Sequence, residues 1–144
     1  MAAVHLARHL LRAKDLMDAR YSERLTVADA AEAAGLSRAH FCREFKRAFG
    51  ESPHVYLLTR RLERAAALLR FTDRSVAEIC MNVGLESVGS FTTSFTRMYG
   101  VPPTGYRAKF PPAAQYARLP ACVVRFYGRP RHQTFREDDG VARG

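Results

Sequence analysis

The chain has 144 residues, with 23 Lys and Arg against 14 Asp and Glu, and therefore a formal net charge of +9. A chain of this length has room for one core or two small ones, which excludes a large multidomain enzyme. Hydrophobic residues make up 47% and charged residues 26%, the composition of a folded protein. The excess of positive charge favours a polyanionic partner.

Compartment and redox state follow from what the sequence lacks. The apolar stretch over residues 4–17 is interrupted by charged and histidine side chains, so we interpret it as a helix and not as a signal peptide. No stretch approaches the ~18 uncharged apolar residues of a membrane helix. Cys42, Cys80 and Cys122 are widely spaced, which indicates free thiols. We expect a soluble, cytoplasmic protein.

Periodicity and punctuation predict four helices in the first half of the chain. Apolar residues at intervals of three and four predict an amphipathic helix over about 4–18. The Thr26 capping box begins a short helix over 27–34. A helix over 37–49 follows, with one buried stripe of phenylalanines at positions 41, 45 and 49. A serine cap and a first-turn proline then begin a long helix over 53–70.

The segment that follows repeats this pattern. Valine, alanine, glycine and leucine recur 49 residues later, and the aromatic stripe, its glycine stop, a proline and a tyrosine recur 50 residues later. One residue is therefore inserted in the second turn. In each unit the residue four before the turn glycine is small, Ala31 and Cys80, so the two helices can approach closely. The pattern predicts a helix-turn-helix, with a plain helical hairpin as the alternative.

The first recognition helix, over 37–49, is predicted to present a basic face. If its phenylalanines point inward, the 100° step per residue places Ala39, Cys42, Arg43, Lys46 and Arg47 on the outer side. Arg43 lies in the middle of that face, where a guanidinium fork can bond guanine bidentately. Arg38 and Arg47 flank it and suit phosphates. The alternative for these arginines is that they form a solvated charged face without a partner. The alternative for Cys42 is that it is a small residue of the core.

The second recognition helix, over 87–99, is predicted to present a nearly neutral face. The same construction exposes Gly89, Thr92, Thr93 and Thr96, with Val88 and Arg97 at the edges. Threonine and valine can contact thymine methyls or accept single hydrogen bonds, so we expect weaker base discrimination from this half. Gly89 either costs helix stability or allows close approach to DNA.

The helix over 53–70 is predicted to link the two units. Its 18 residues span about 27 Å, close to the ~34 Å between successive major-groove segments on one face of DNA. One chain can therefore occupy two half-sites as a monomer, with a homodimer as the alternative. Its arginines at 60, 61 and 64 are assigned equally to phosphates or to a solvent face.

The second unit carries the most specific pattern in the chain. The stretches Gly84 to Ser87, Ser90 to Phe95 and Tyr99 to Arg107 resemble the AraC/XylS family of bacterial transcription regulators. The resemblance covers about residues 4–110. It implies an all-α, seven-helix fold of two homeodomain-like helix-turn-helix repeats, with a first unit over 4–52, a linker helix over 53–70 and a second unit over 71–110.

The resemblance also implies a site and partners. Double-stranded DNA is the expected partner, with each recognition helix in an adjacent major-groove segment, and many members of the family contact RNA polymerase. The family's base-facing positions fall on Ala39, Cys42, Arg43, Val88, Gly89, Thr92 and Thr93. We assign phosphates to Arg38, Lys46, Arg47, Thr96 and Arg97.

Residues 111–144 form a short C-terminal extension with a predicted strand over 121–127 and a polar remainder that we expect to be mobile. The strand is expected to pack on the domain, with pairing to a partner and no binding at all as the alternatives.

Other functional classes find little support in the sequence. Nucleophile-elbow and phosphate-loop motifs are absent, so we expect no enzyme and no cofactor. His5 and His9 have a chelating spacing without the zincin glutamate, so we expect no metal. The alternative to a DNA-binding regulator is a non-catalytic adaptor that uses a degenerate repeat to bind another protein.

Overall fold

The computed structural model describes residues 2–116 and confirms the expected all-α class with seven α-helices. The predicted strand over 121–127 lies outside the described residues, as does the rest of the extension beyond residue 116. The helices are α1 Ala2–Arg20, α2 Val27–Ala33, α3 Arg38–Phe49, α4 Pro53–Phe71, α5 Val76–Asn82, α6 Val88–Tyr99 and α7 Pro103–Ala108, followed by a 3₁₀ turn at Ala113–Tyr116.

The two short helices, α2 and α5, begin with the same device. Thr26 accepts a hydrogen bond from the Asp29 backbone N–H at 3.1 Å, and the Asp29 carboxylate accepts one from the Thr26 N–H at 2.9 Å. Ser75 and Glu78 repeat the pair of bonds at 3.1 and 3.0 Å. The capping box predicted at Thr26 is confirmed, and Ser75 with Glu78 forms a second one at the start of α5. The bonds to Thr26 hold the pKa of the exposed Asp29 carboxyl below its ordinary value.

The turn after each short helix is also duplicated. Gly35 and Gly84 adopt positive φ angles of 70° and 85°, which glycine reaches without steric cost. In each turn the next leucine N–H donates back to the carbonyl of the small residue four before the glycine. The two bonds run from Leu36 to Ala31 and from Leu85 to Cys80, both at 3.0 Å.

The inserted residue lies between turn and recognition helix, as the change in offset predicted. Ser37 caps α3 two residues after its turn glycine, whereas Ser87 caps α6 three residues after the equivalent glycine. Both serines nonetheless accept a hydrogen bond from the N–H three residues on, at 3.2 Å. The extra residue is accommodated in the loop and leaves the start of α6 unchanged.

The described residues fall into two compact units that divide inside α4, between Arg60 and Arg61. In the first unit α1, α2, α3 and the beginning of α4 share one core, in which Met17, Phe41 and Phe45 are fully buried. Phe49 is only half-buried, which corrects the expectation of a wholly buried aromatic stripe. The Lys14 ammonium lies 5.6 Å from the Phe49 ring centroid and covers it.

Polar side chains join α1 to α4 within the first unit. The Tyr56 hydroxyl donates to the Asp18 carboxylate, and Arg60 Nε lies 3.2 Å from the same Oδ1 atom. The Arg60 guanidinium also lies 5.8 Å from the Tyr21 ring centroid. Arg60 is only 22% exposed and contacts the fold, which contradicts its assignment to a solvent face, while its assignment to phosphates stays a prediction.

In the second unit a side chain of α7 forms hydrogen bonds with the C-terminal end of α4. Arg107 donates from Nε to the Leu69 carbonyl at 3.0 Å and from Nη2 to the carbonyls of Thr72, at 3.3 Å, and Arg74. These carbonyls include groups that a helix C-terminus leaves without partners. Arg107 thus caps the C-terminus of α4, a helix that lies far from it in the sequence.

Replacing Arg107 with alanine should lower the free energy of unfolding by about 2 kcal/mol, because it leaves up to three carbonyls without their charged donor. Denaturant titration followed by circular dichroism measures this loss. Lys109→Ala removes the same charge from an exposed position near the end of α7 and should stay within about 0.5 kcal/mol of the wild type. Equal effects of the two substitutions would contradict the capping role.

Candidate nucleic-acid interface

Helix α3 presents most of its basic residues to solvent. Phe41 and Phe45 are fully buried with ring centroids 5.5 Å apart, and they fix the inward face of the helix. The predicted outer residues Arg38, Ala39, Arg43, Lys46 and Arg47 are all exposed. Cys42 is half-buried and packs against the first unit's core, so its side chain is divided between core and surface.

A carboxylate that the sequence analysis did not single out lies on the same helix. Glu44 is 15% exposed, and its Oε1 atom lies 3.6 Å from Arg47 Nη1 and 3.9 Å from His40 Nε2. Arg47 itself is 79% exposed. The spacing of three and four residues was visible in the sequence as a helical ion-pair pattern. Glu44 therefore lowers the local positive charge beside the arginines.

Helix α6 has the same inward face but a different outer one. Phe91 and Phe95 are buried with ring centroids 5.8 Å apart. Val88, Gly89 and Thr93 are exposed, whereas Thr92, Thr96 and Arg97 are half-buried. The Nε atom of Arg97 is buried, in contrast to the exposed Arg47 at the equivalent position of α3.

Two threonine hydroxyls on α6 bond to their own helix. Thr93 Oγ1 donates to the Gly89 carbonyl at 3.0 Å, and Thr96 Oγ1 donates to the Thr92 carbonyl at 2.7 Å. A hydroxyl carries one hydrogen, so each side chain retains its methyl group and its acceptor lone pairs. The sequence pattern did not reveal this restriction on what α6 offers a partner.

The described residues impose no structural requirement for glycine at position 89. It lies in the first turn of α6 without a positive φ angle, and a Cβ atom built there would meet only Ser87 Oγ, at 3.8 Å. Ordinary van der Waals distance separates these atoms. Packing within the described residues therefore does not explain why the position lacks a side chain.

The described residues contain neither a metal-ligand cluster nor a membrane-spanning helix. Within 2–116 no three potential ligands among His, Cys, Asp and Glu come together. No helix in that range combines the length and the apolar character needed to cross a bilayer. The candidate interface residues lie on the exposed faces of α3, in the first unit, and of α6, in the second.

Comparison with known proteins agrees with the geometry. The helix-turn-helix domain model matches residues 30–109. The transcriptional regulator MtrA of Neisseria gonorrhoeae is 43% identical over 75 residues, which cover 52% of this chain and 25% of that protein. A putative AraC-like transcription regulator of Streptomyces lividans is 39% identical over 82 residues, covering 57% of this chain and 27% of that protein.

A solved structure extends the match to three dimensions. The DNA-binding domain of AdpA, crystallised with a target DNA, superimposes with a TM-score of 0.66 at 31% identity and covers 78% of this chain and 96% of that domain. The chain belongs to the AraC/XylS family. It spans only about a quarter of the length of the two curated relatives named above.

Replacing the glycine in the first turn of α6 and the glycine at its C-cap with alanine should change the stability of the fold in opposite directions. Gly89→Ala should raise the free energy of unfolding by up to about 1 kcal/mol, because alanine favours a helix and the space is open. Gly100→Ala should lower it by about 1 kcal/mol, because Gly100 ends α6 at a φ angle of 78°. Thermal and denaturant unfolding measure both values. A loss of stability in Gly89→Ala would show that the free fold requires that glycine.

Proposed function

We propose that this AraC/XylS-family chain is a sequence-specific, double-stranded DNA-binding transcription regulator that inserts α3 and α6 into the major groove. The observation that carries the proposal is the exposed Arg43 directly opposite the buried Phe41 and Phe45. The AdpA domain crystallised with a target DNA, whose match covers 78% of this chain, supports DNA binding.

The proposal assigns different contacts with DNA to α3 and α6. Arg43 bonds a guanine edge, Ala39 permits close approach, and the exposed Arg38, Lys46 and Arg47 neutralise phosphates. On α6, Val88, Gly89, Thr92 and Thr93 face the bases. The half-buried Thr96 and Arg97 are the weaker phosphate candidates, because the Thr96 hydroxyl and the Arg97 Nε atom turn toward the protein. Cys42 lies at the margin of the base-facing set.

Partners and compartment follow from this role. The chain binds DNA as a monomer in the cytoplasm and contacts RNA polymerase when bound. Half-sites about one helical turn apart remain the prediction of the linker-helix length. The proposed activity is binding alone, without a catalytic step.

A protein-interaction adaptor is the second candidate. The observation that favours it is the nearly neutral outer face of α6, together with the exposed side chains of Val88 and Met81, which are 43% and 55% accessible. An adaptor would bind polymerase subunits or another regulator with equal strength whether DNA is present or absent.

Selection from random duplexes at two salt concentrations distinguishes these functions. The wild-type chain should enrich one asymmetric, two-part motif, and Arg43→Ala should lose about ten- to a hundredfold discrimination at a single base pair. Arg12→Ala removes the same charge from an exposed position on α1 and should preserve the motif. Binding without enrichment by the wild type would refute the proposal and leave charge alone as the cause of binding.

Removing the acidic group from the basic face should strengthen binding. Glu44→Gln should raise affinity severalfold at low salt for matched and mismatched duplexes alike, because it deletes a negative charge beside Arg47. The gain should shrink as salt increases. Fluorescence anisotropy measures it, and Asp15→Asn on the exposed side of α1 is the matched control. Unchanged affinity in Glu44→Gln would place the carboxylate away from the DNA.

A further inference from the structure

The two recognition helices place different residues at the same position. Arg43 follows Phe41 by two residues, and Thr93 follows Phe91 by two. Both phenylalanines are buried, and both outer residues are exposed. At 100° per residue, each outer residue lies opposite the midpoint of its buried aromatic pair. Thr93 therefore occupies on α6 the central position that Arg43 occupies on α3.

Thr93 can form fewer kinds of hydrogen bond with a partner than a threonine whose hydroxyl hydrogen is available. Its hydroxyl hydrogen is held by the Gly89 carbonyl at 3.0 Å. The half-buried hydroxyl of Thr96, nearly one turn further along the helix, is held by the Thr92 carbonyl at 2.7 Å. These two side chains thus have no hydroxyl hydrogen left for a base, and Thr93 presents a methyl group and oxygen lone pairs.

The surroundings of Thr93 leave that methyl group accessible. Helical side chains lean toward the N-terminus, so Thr93 lies over the turn that contains Gly89. Beyond its chain neighbours and the helix backbone, a Cβ atom at Gly89 would meet Ser87 Oγ at 3.8 Å and no other atom of the described residues within 4 Å, so the space beside this turn is open there. Val88, in the same turn, is 43% exposed and adds aliphatic surface.

Only one base offers a complementary apolar group in the major groove. Thymine carries the C5 methyl, whereas guanine presents acceptors alone, and adenine and cytosine present amino donors. We propose, on the basis of the proposed DNA-binding function, that Thr93 recognises a thymine by methyl contact and that the second half-site is specified by this apolar contact. The first half-site is then recognised by hydrogen bonds from Arg43, and the second by apolar contact with a base.

Replacing each thymine of the selected duplex in turn with deoxyuridine removes only the C5 methyl and tests this assignment. Binding by the full chain should weaken about fourfold at one position of the second half-site, the effect of one buried methyl group. Thr93→Val, which keeps a methyl and loses the hydroxyl, should still bind the thymine duplex more tightly than the uracil duplex. Thr93→Ser should bind it about fourfold more weakly and should no longer distinguish thymine from uracil.

Ser90→Ala is the matched control, because it removes a neighbouring exposed hydroxyl from α6 and should leave the response to uracil unchanged. Weakening by Thr93→Val together with no effect of uracil anywhere in the second half-site would overturn the inference and show that the oxygen accepts from adenine or cytosine. Failure to enrich any motif would instead refute the proposed function. Melting curves of each variant confirm that these exposed substitutions leave the fold intact.

Discussion

The orientation of the recognition helices depends on two buried aromatic pairs. Phe41 and Phe45 in the first unit, and Phe91 and Phe95 in the second, have almost no exposed surface. Burying each such ring contributes about 1.5–3 kcal/mol, more than a single surface contact. Rotation of either helix by one residue would move these rings toward water. The outward residues are thus determined by the inward ones, and the chemistry of the interface is free to vary.

The repeat shows how far that freedom extends. Both turns use a glycine of positive φ and the same backbone bond to a small buried residue, and an extra loop residue leaves the cap of α6 intact. The polar contacts that join the helices differ between the two units. In the first unit Tyr56 bonds Asp18, whereas in the second the residue after the equivalent tyrosine, Arg107, caps α4. Conserving the packing between copies did not require the same polar contacts.

Sequence reasoning succeeded where the determining interactions are local. Caps, glycine stops and the spacing of phenylalanines involve residues at most five apart, so helix boundaries followed closely from the pattern. It failed where distant segments meet. The pairing of Arg60 with Asp18 joins residues of different helices, and periodicity does not reveal it. The partial burial of Cys42 likewise depends on packing between helices. The threonine bonds of α6 are local, but they depend on a choice of side-chain rotamer that periodicity does not specify.

The unequal distribution of charge gives the proposed interface an order of action. Electrostatic attraction to phosphates extends over about 8–10 Å at physiological salt, whereas methyl contact requires van der Waals distance. Helix α3 holds four basic residues against one acidic residue, and the single arginine of α6 has its Nε atom buried. If the proposed function holds, α3 contributes more to the initial attraction than α6. The contacts of α6 would then form after docking and act mainly on the dissociation rate, and their selectivity should persist at salt concentrations that weaken overall affinity.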